Sequence, residues 1–180
     1  MPDPQAYPLE KLFLNISLKA RMKKNIGEHP YGDVGQLILL FVFLIVWLGD
    51  SFFYQKSTFL SVYLPLYVRL VLLMIIEICA ISLIRAGHAV VHDVETPKNI
   101  VTSGAFRFVR HPLYLGCILF YVGLLISTLS LLSLIVFGGI FIFYNYIASY
   151  EEKFLEEKFH EEYSTYEEKT PKWVPRINQR

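Results

Sequence analysis

Four runs of apolar residues limit this chain to a bundle of membrane helices. They extend from Val34 to Leu48, Phe59 to Ile84, Leu113 to Ile126 and Leu129 to Ile147. Inside hydrocarbon a backbone must satisfy its own hydrogen bonds, and a helix does so within a single segment. About 20 helical residues cross a ~30 Å hydrocarbon layer, so the second run spans with tilt while the first and third are short. The joint "STLS" between the third and fourth runs leaves room only for a tight helical hairpin. Composition agrees: 54% of residues are hydrophobic, and a soluble domain of this size is normally less apolar. The expected fold class is therefore an all-α integral membrane protein with about four transmembrane helices. An N-terminal interfacial helix and a C-terminal cytoplasmic amphipathic helix complete it. Residues 1–33 form an amphipathic arm and residues 34–180 the membrane domain, with its core motifs in 95–175.

Charge sets the orientation. Lys11, Lys19, Arg21, Lys23 and Lys24 precede the first run. Arg85, Lys98, Arg107 and Arg110 lie between the second and third, and Lys153, Lys158, Lys169, Lys172, Arg176 and Arg180 follow the fourth. The opposite side offers only Lys56. Basic residues favour the cytoplasmic side, so both termini and the middle loop are expected there in a multi-pass arrangement. Net charge is +1, which gives no bulk attraction to nucleic acid. Cys79 and Cys117 fall within apolar runs and read as small buried hydrophobes, and no cluster of ligands suggests a metal site. The opening "MPDPQAYPLEKLF" lacks the pattern of a cleaved signal peptide and reads as mature protein.

Ahead of the first run, Leu9, Leu12, Phe13, Ile16 and Ala20 recur at helical spacing among basic residues. This pattern suits a helix lying on the inner leaflet. After the fourth run, Phe154, Leu155, Phe159, Tyr163 and Tyr166 make an apolar stripe, ended by Pro171. The last span is expected to continue, or bend, into an amphipathic helix.

The stretch "NIVTSGAFRFVRHPLYLG", Asn99 to Gly116, carries the chemistry. Gly104 permits a backbone turn that other residues resist. Pro112 suits the first turn of the third helix, which puts Arg110 and His111 at its N-terminus, where free N–H groups and the helix dipole favour an anion. A short hairpin returns Glu151 and Glu152 to the same membrane face. The two pairs can form a plain structural ion pair. They can equally hold a zwitterion such as an amino-acid-like ligand. Within the second run, Arg69 and Glu77 are charges of the kind that face protein or water; Arg69 can also snorkel to the interface.

"TSGAFRFVRHPLYLG", followed about forty residues later by "EEKFLEEKFHEEYSTYEEKTPKWVP", resembles the isoprenylcysteine carboxyl methyltransferase family, whose core is shared by phospholipid N-methyltransferases. Gly104, Arg110, His111, Pro112, Tyr114, Gly116, Glu151, Glu152, Phe159, Tyr163, Tyr166, Val174 and Pro175 match the family pattern. The resemblance covers roughly Glu95 to Pro175. It implies an integral membrane methyltransferase that binds S-adenosyl-L-methionine without a Rossmann fold. In agreement, no strand leads into a G-x-G-x-x-G helix start.

The resemblance further implies a cofactor pocket made by Gly104, His111, Pro112, Tyr114, Gly116, Glu151 and Glu152. Arg110, Glu151 and Glu152 are the expected catalytic residues, and Glu77, Asn145 and Tyr146 the expected substrate-side residues. Two positions depart from the family. His160 stands where Gly usually follows the tail Phe, and "FIFYNYIASY" offers Asn145 and tyrosines where many relatives carry Arg.

The expected reaction is methyl transfer to a lipid-like acceptor, foremost the carboxylate of an isoprenylcysteine or similar isoprenoid acid. A phospholipid amine of the phosphatidylethanolamine type is the alternative. Further behind are a sterol or isoprenoid reductase-like protein and a non-catalytic membrane scaffold. The expected partners are the membrane and a lipid or prenylated substrate.

Overall fold

The structure is a computed structural model that describes residues 29, 31–92 and 100–175. The expected interfacial helix over Leu9–Ala20 lies outside the described residues. Among those described, every regular element is helical. Three helical segments are long and apolar enough to cross a membrane, and a fourth apolar helix is shorter.

Helix α1 spans Gly32–Leu48. It then runs on through a π-helical segment, Gly49–Tyr54, until Gln55 adopts a left-handed conformation (φ 50°). The first apolar run is short only when read to Leu48; the wider π turns lengthen it to Gly32–Tyr54, 23 residues. The second run begins later than its hydropathy suggested. Phe59–Val62 forms a separate 3-10 turn, and α2 occupies Leu66–His92. Pro65 divides them: its carbonyl accepts from the amides of Val68 and Arg69, and proline suits a helix start.

A 3-10 turn at Gly104–Arg107 follows, entered through Gly104 at φ +61°. Helix α3 is Pro112–Thr128, with Pro112 in its first turn. At 17 residues, and about 1.5 Å per residue, it is about 26 Å long. Its role differs from that of the three long segments, because it is wedged between them. One face packs on α2 through glycines. A Cβ on Gly116 would lie 2.6 Å from Ile84 and 2.9 Å from the Ala80 carbonyl, and one on Gly123 would lie 2.5 Å from Glu77. Small residues that let membrane helices approach are a recurrent packing device. The opposite face supplies Ile118, Tyr121 and Leu125 to a core shared with Phe43 of α1 and with Ile140, Tyr144 and Ile147 of the next helix.

That helix, α4, covers Leu131–Phe159, and the Ser130 hydroxyl caps it by accepting from the Ser133 amide. Asp50 is buried behind the cap, bonded to Ser57 and, at 2.6 Å, to Ser130. Arg69 reaches across to the end of α3: its Nη1 donates to the Ser127 carbonyl at 2.6 Å and its Nε to the Leu64 carbonyl at 3.1 Å, closing the last turn of α3. The chain bends at His160 (φ 46°) before α5, Glu161–Lys169. The tail stripe thus turns back rather than continuing straight, and Tyr163 becomes fully buried. The two cysteines are not the buried pair expected: Cys79 is exposed on α2, and Cys117 is half-buried.

Candidate active site

The start of α3 and the far half of α4 meet, and they bring Arg110–His111 onto Glu151–Glu152. His111 is the N-cap of α3. Its Nε2 lies 3.0 Å from Glu152 Oε1, and its Nδ1 lies 3.8 Å from Glu151 Oε2. An ionised carboxylate only accepts, so Nε2 carries the proton. Arg110 Nε approaches Glu152 Oε1 at 3.3 Å, while Nη1 donates to Glu167 on α5. Lys172 completes the set, 2.9 Å from Glu152 Oε2 and donating to Ser149 Oγ at 2.8 Å. Glu152 is therefore the shared anion of three basic side chains.

The segment after α5 closes this cluster. The Arg110 amide donates to the Pro171 carbonyl at 3.0 Å, and the Tyr166 hydroxyl donates to the Phe106 carbonyl at 2.6 Å. Trp173 leans on the His111 ring at 5.8 Å. Burial, which disfavours the imidazolium, holds the His111 pKa below its usual value despite the pull of Glu152, and Lys172 and Arg110 add to the lowering. The ring is neutral near pH 7 and acts as a hydrogen-bond donor rather than as a cation.

Glu151 faces the other way. It accepts from the Tyr114 hydroxyl, and the Tyr114 ring stacks on His111 at 5.6 Å and 12°. Tyr114 and Glu151 line a cavity of about 300 Å³ together with His29, which precedes α1, and with Asp33 and Gln36 from the start of that helix. A second cavity, of about 350 Å³, shares Asp33, Gln36 and Cys117 with the first and continues along Leu40, Phe120 and Tyr144. A polar chamber at the helix ends thus adjoins an apolar groove running into the bundle.

Several expected site residues sit elsewhere. Gly116 faces α2, so its part is helix packing. Gly104 makes the turn expected of it, against Val90. Pro112 is buried in the first turn of α3. Glu77 packs against α3 at Gly123 rather than on the chamber. Asn145 accepts from the Trp173 indole at 3.3 Å. Tyr146 points outward, 57% exposed, with its ring edge-on to His29 at 5.6 Å. Two residues earlier, at roughly 100° per residue round the helix, Tyr144 lines the groove instead. Sequence reasoning passed over His29, Asp33, Gln36 and Lys172. Asp33 and Gln36 left one trace, two polar residues three apart at the mouth of an apolar run.

The fold and this cluster define a class: a small all-α membrane protein with acidic and basic side chains gathered where α3 begins and the far half of α4 passes it. The sequence profile of the family described as phospholipid methyltransferase matches residues 67–162, just over half of the chain, and the chain belongs to that family. Among curated proteins, the protein-S-isoprenylcysteine O-methyltransferase of Saccharomyces cerevisiae is 35% identical over 104 residues, which are 54% of this chain and 43% of that protein. The probable protein-S-isoprenylcysteine O-methyltransferase of Oryza sativa subsp. indica is 31% identical over 117 residues, 62% of this chain and 61% of that one. Protein-S-isoprenylcysteine O-methyltransferase B of Arabidopsis thaliana is 29% identical over 102 residues, 54% of this chain and 52% of its own. The chain spans about half the length of these relatives. No solved structure matches it.

Proposed function

We propose that this protein transfers a methyl group from S-adenosylmethionine to the carboxylate of an isoprenylcysteine or a similar isoprenoid acid. One observation carries the reading: a chamber lined by Glu151, Tyr114 and Asp33 adjoins an apolar groove between helices. A polar reacting end and a long hydrocarbon tail need such a neighbourhood. The relatives' names support the same acceptor.

The donor set fits the cofactor. S-adenosylmethionine carries a sulfonium and an ammonium, and the chamber presents two carboxylates and the Tyr114 and His29 rings to them. When bound, the cofactor supplies an electrophilic methyl group for in-line displacement. Glu151 and Asp33 hold its positive end, and Tyr114 orients Glu151. Arg110, His111 and Lys172 fix Glu152, and through it the wall of the chamber. An acceptor carboxylate is ionised at neutral pH and needs alignment rather than a base. The excess of basic residues on this side of the spans supports a cytoplasmic site, with both termini on the same side.

A second reading has its own support. The same two carboxylates would welcome a cationic amine, which is the acceptor of phospholipid N-methylation. Purified full-length protein supplied with methyl-labelled S-adenosylmethionine and either S-farnesylcysteine or phosphatidylethanolamine separates the two. The expected product is a methyl ester that releases volatile label in base. Base-stable label in the head group would replace the first reading with the second, and no label in either lipid would overturn both.

A further inference from the structure

At the opposite end of the helices, the end of α1, the start of α2 and the end of α3 enclose a cavity of about 480 Å³. Its walls divide by chemistry. Arg69 and Gln55 supply polar groups, while Leu70 and Leu73 belong to an apolar side. Leu70 is also exposed on the outer face of α2, so the cavity opens toward the lipid.

Arg69 is the cation of this cavity. Two of its N–H groups go to backbone carbonyls, and a guanidinium has five. No described carboxylate lies within ion-pair distance of it. The nearby buried acid, Asp50, is bonded to Ser57 and Ser130. A guanidinium with N–H groups to spare, beside an apolar wall open to lipid, matches an anionic head group with its chain.

We propose that this cavity is a second lipid site, which holds the phosphate of an anionic phospholipid on Arg69, with an acyl chain along Leu70 and Leu73. The site is separate from the methyl-transfer chamber and does not rest on that chemistry. A choline head group fits poorly, because its ammonium would find no free carboxylate there.

Native mass spectrometry of the full chain in detergent tests this with phosphatidylglycerol, phosphatidylcholine and inorganic phosphate added separately. Phosphatidylglycerol should be retained with about tenfold higher affinity than phosphatidylcholine, the scale of one charge-assisted contact, and inorganic phosphate alone should not be retained. Arg69→Gln should abolish the preference. Because Arg69 also closes α3, Arg69→Lys, which keeps the charge and loses the planar fork, supplies a milder test and should weaken phosphatidylglycerol binding about threefold. Equal retention of the two lipids, a preference that survives Arg69→Gln, or an unchanged affinity in Arg69→Lys would overturn the proposal. Retention of inorganic phosphate as tight as that of the lipid would overturn the lipid assignment.

Discussion

Glu152 illustrates how one residue organises the site. Arg110, His111 and Lys172 all lie within 3.3 Å of its two oxygens, and its side chain is only 14% exposed. Removing one partner from a buried ionic cluster strands the others and typically costs about 3 kcal/mol or more. Glu152→Gln should therefore lower the thermal midpoint in detergent, whereas Glu156→Gln, on the same helix, should leave it nearly unchanged. His111 makes a pH-dependent contribution. Its folded pKa is lowered from 6.5 by burial, so the unfolded chain takes up the proton first as pH falls. The stability it provides is fully present above about pH 6.5 and is lost as pH drops toward the depressed folded value. Melting curves of the wild type should fall over that window, and His111→Gln should flatten the slope. The meeting of Arg110–His111 with Glu151–Glu152 was legible in the sequence, because a tight hairpin allows few other outcomes. Lys172 was not. It reaches Glu152 only because the chain reverses at His160, and no local pattern announces that reversal.

At the scale of elements, two backbone features carry predictions. His160 holds a φ of 46° between α4 and α5, a region that favours glycine and is strained for residues with a Cβ. A glycine would suit this bend without strain, and His160 stands there instead. His160→Gly should raise stability by about 1 kcal/mol, the lower end of what such strain costs, as read by thermal unfolding. The contact between α2 and α3 depends on absent side chains. Gly116→Ala puts a methyl group 2.6 Å from Ile84 and 2.9 Å from a backbone carbonyl, and overpacking of this kind costs about 1–3 kcal/mol. Gly138→Ala meets nothing within 4 Å and should stabilise α4 by about 0.5–1 kcal/mol through helix propensity. Opposite signs for two identical substitutions are a sharp check on the packing. Hydropathy located all four apolar helices but misplaced their ends. Pro65 delayed α2, and the π turns prolonged α1. Both effects arise from backbone hydrogen bonding, which an average over side chains does not register.

Across the whole molecule, polarity is sorted along the helices. One end gathers the acid–base cluster and its chamber, an apolar groove runs inward from it, and the Arg69 cavity occupies the other end. Asp33 and Gln36 reach the chamber because α1 packs on α4 through Gly35, whose missing side chain admits the Phe143 ring. That rotation is set by tertiary packing and cannot be read from α1 alone. The same packing turns Tyr144 inward and Tyr146 outward. Transfer of labelled methyl to S-farnesylcysteine by purified full chain, wild type against Glu151→Gln, tests the assignment of the chamber most directly. The wild type should form a base-labile ester, and Glu151→Gln should lose about 100-fold in rate while melting as a folded protein, the scale of loss when a bound reactant is misplaced by about 1 Å. Undiminished ester formation by a folded Glu151→Gln variant would contradict the placement of methyl transfer at this site.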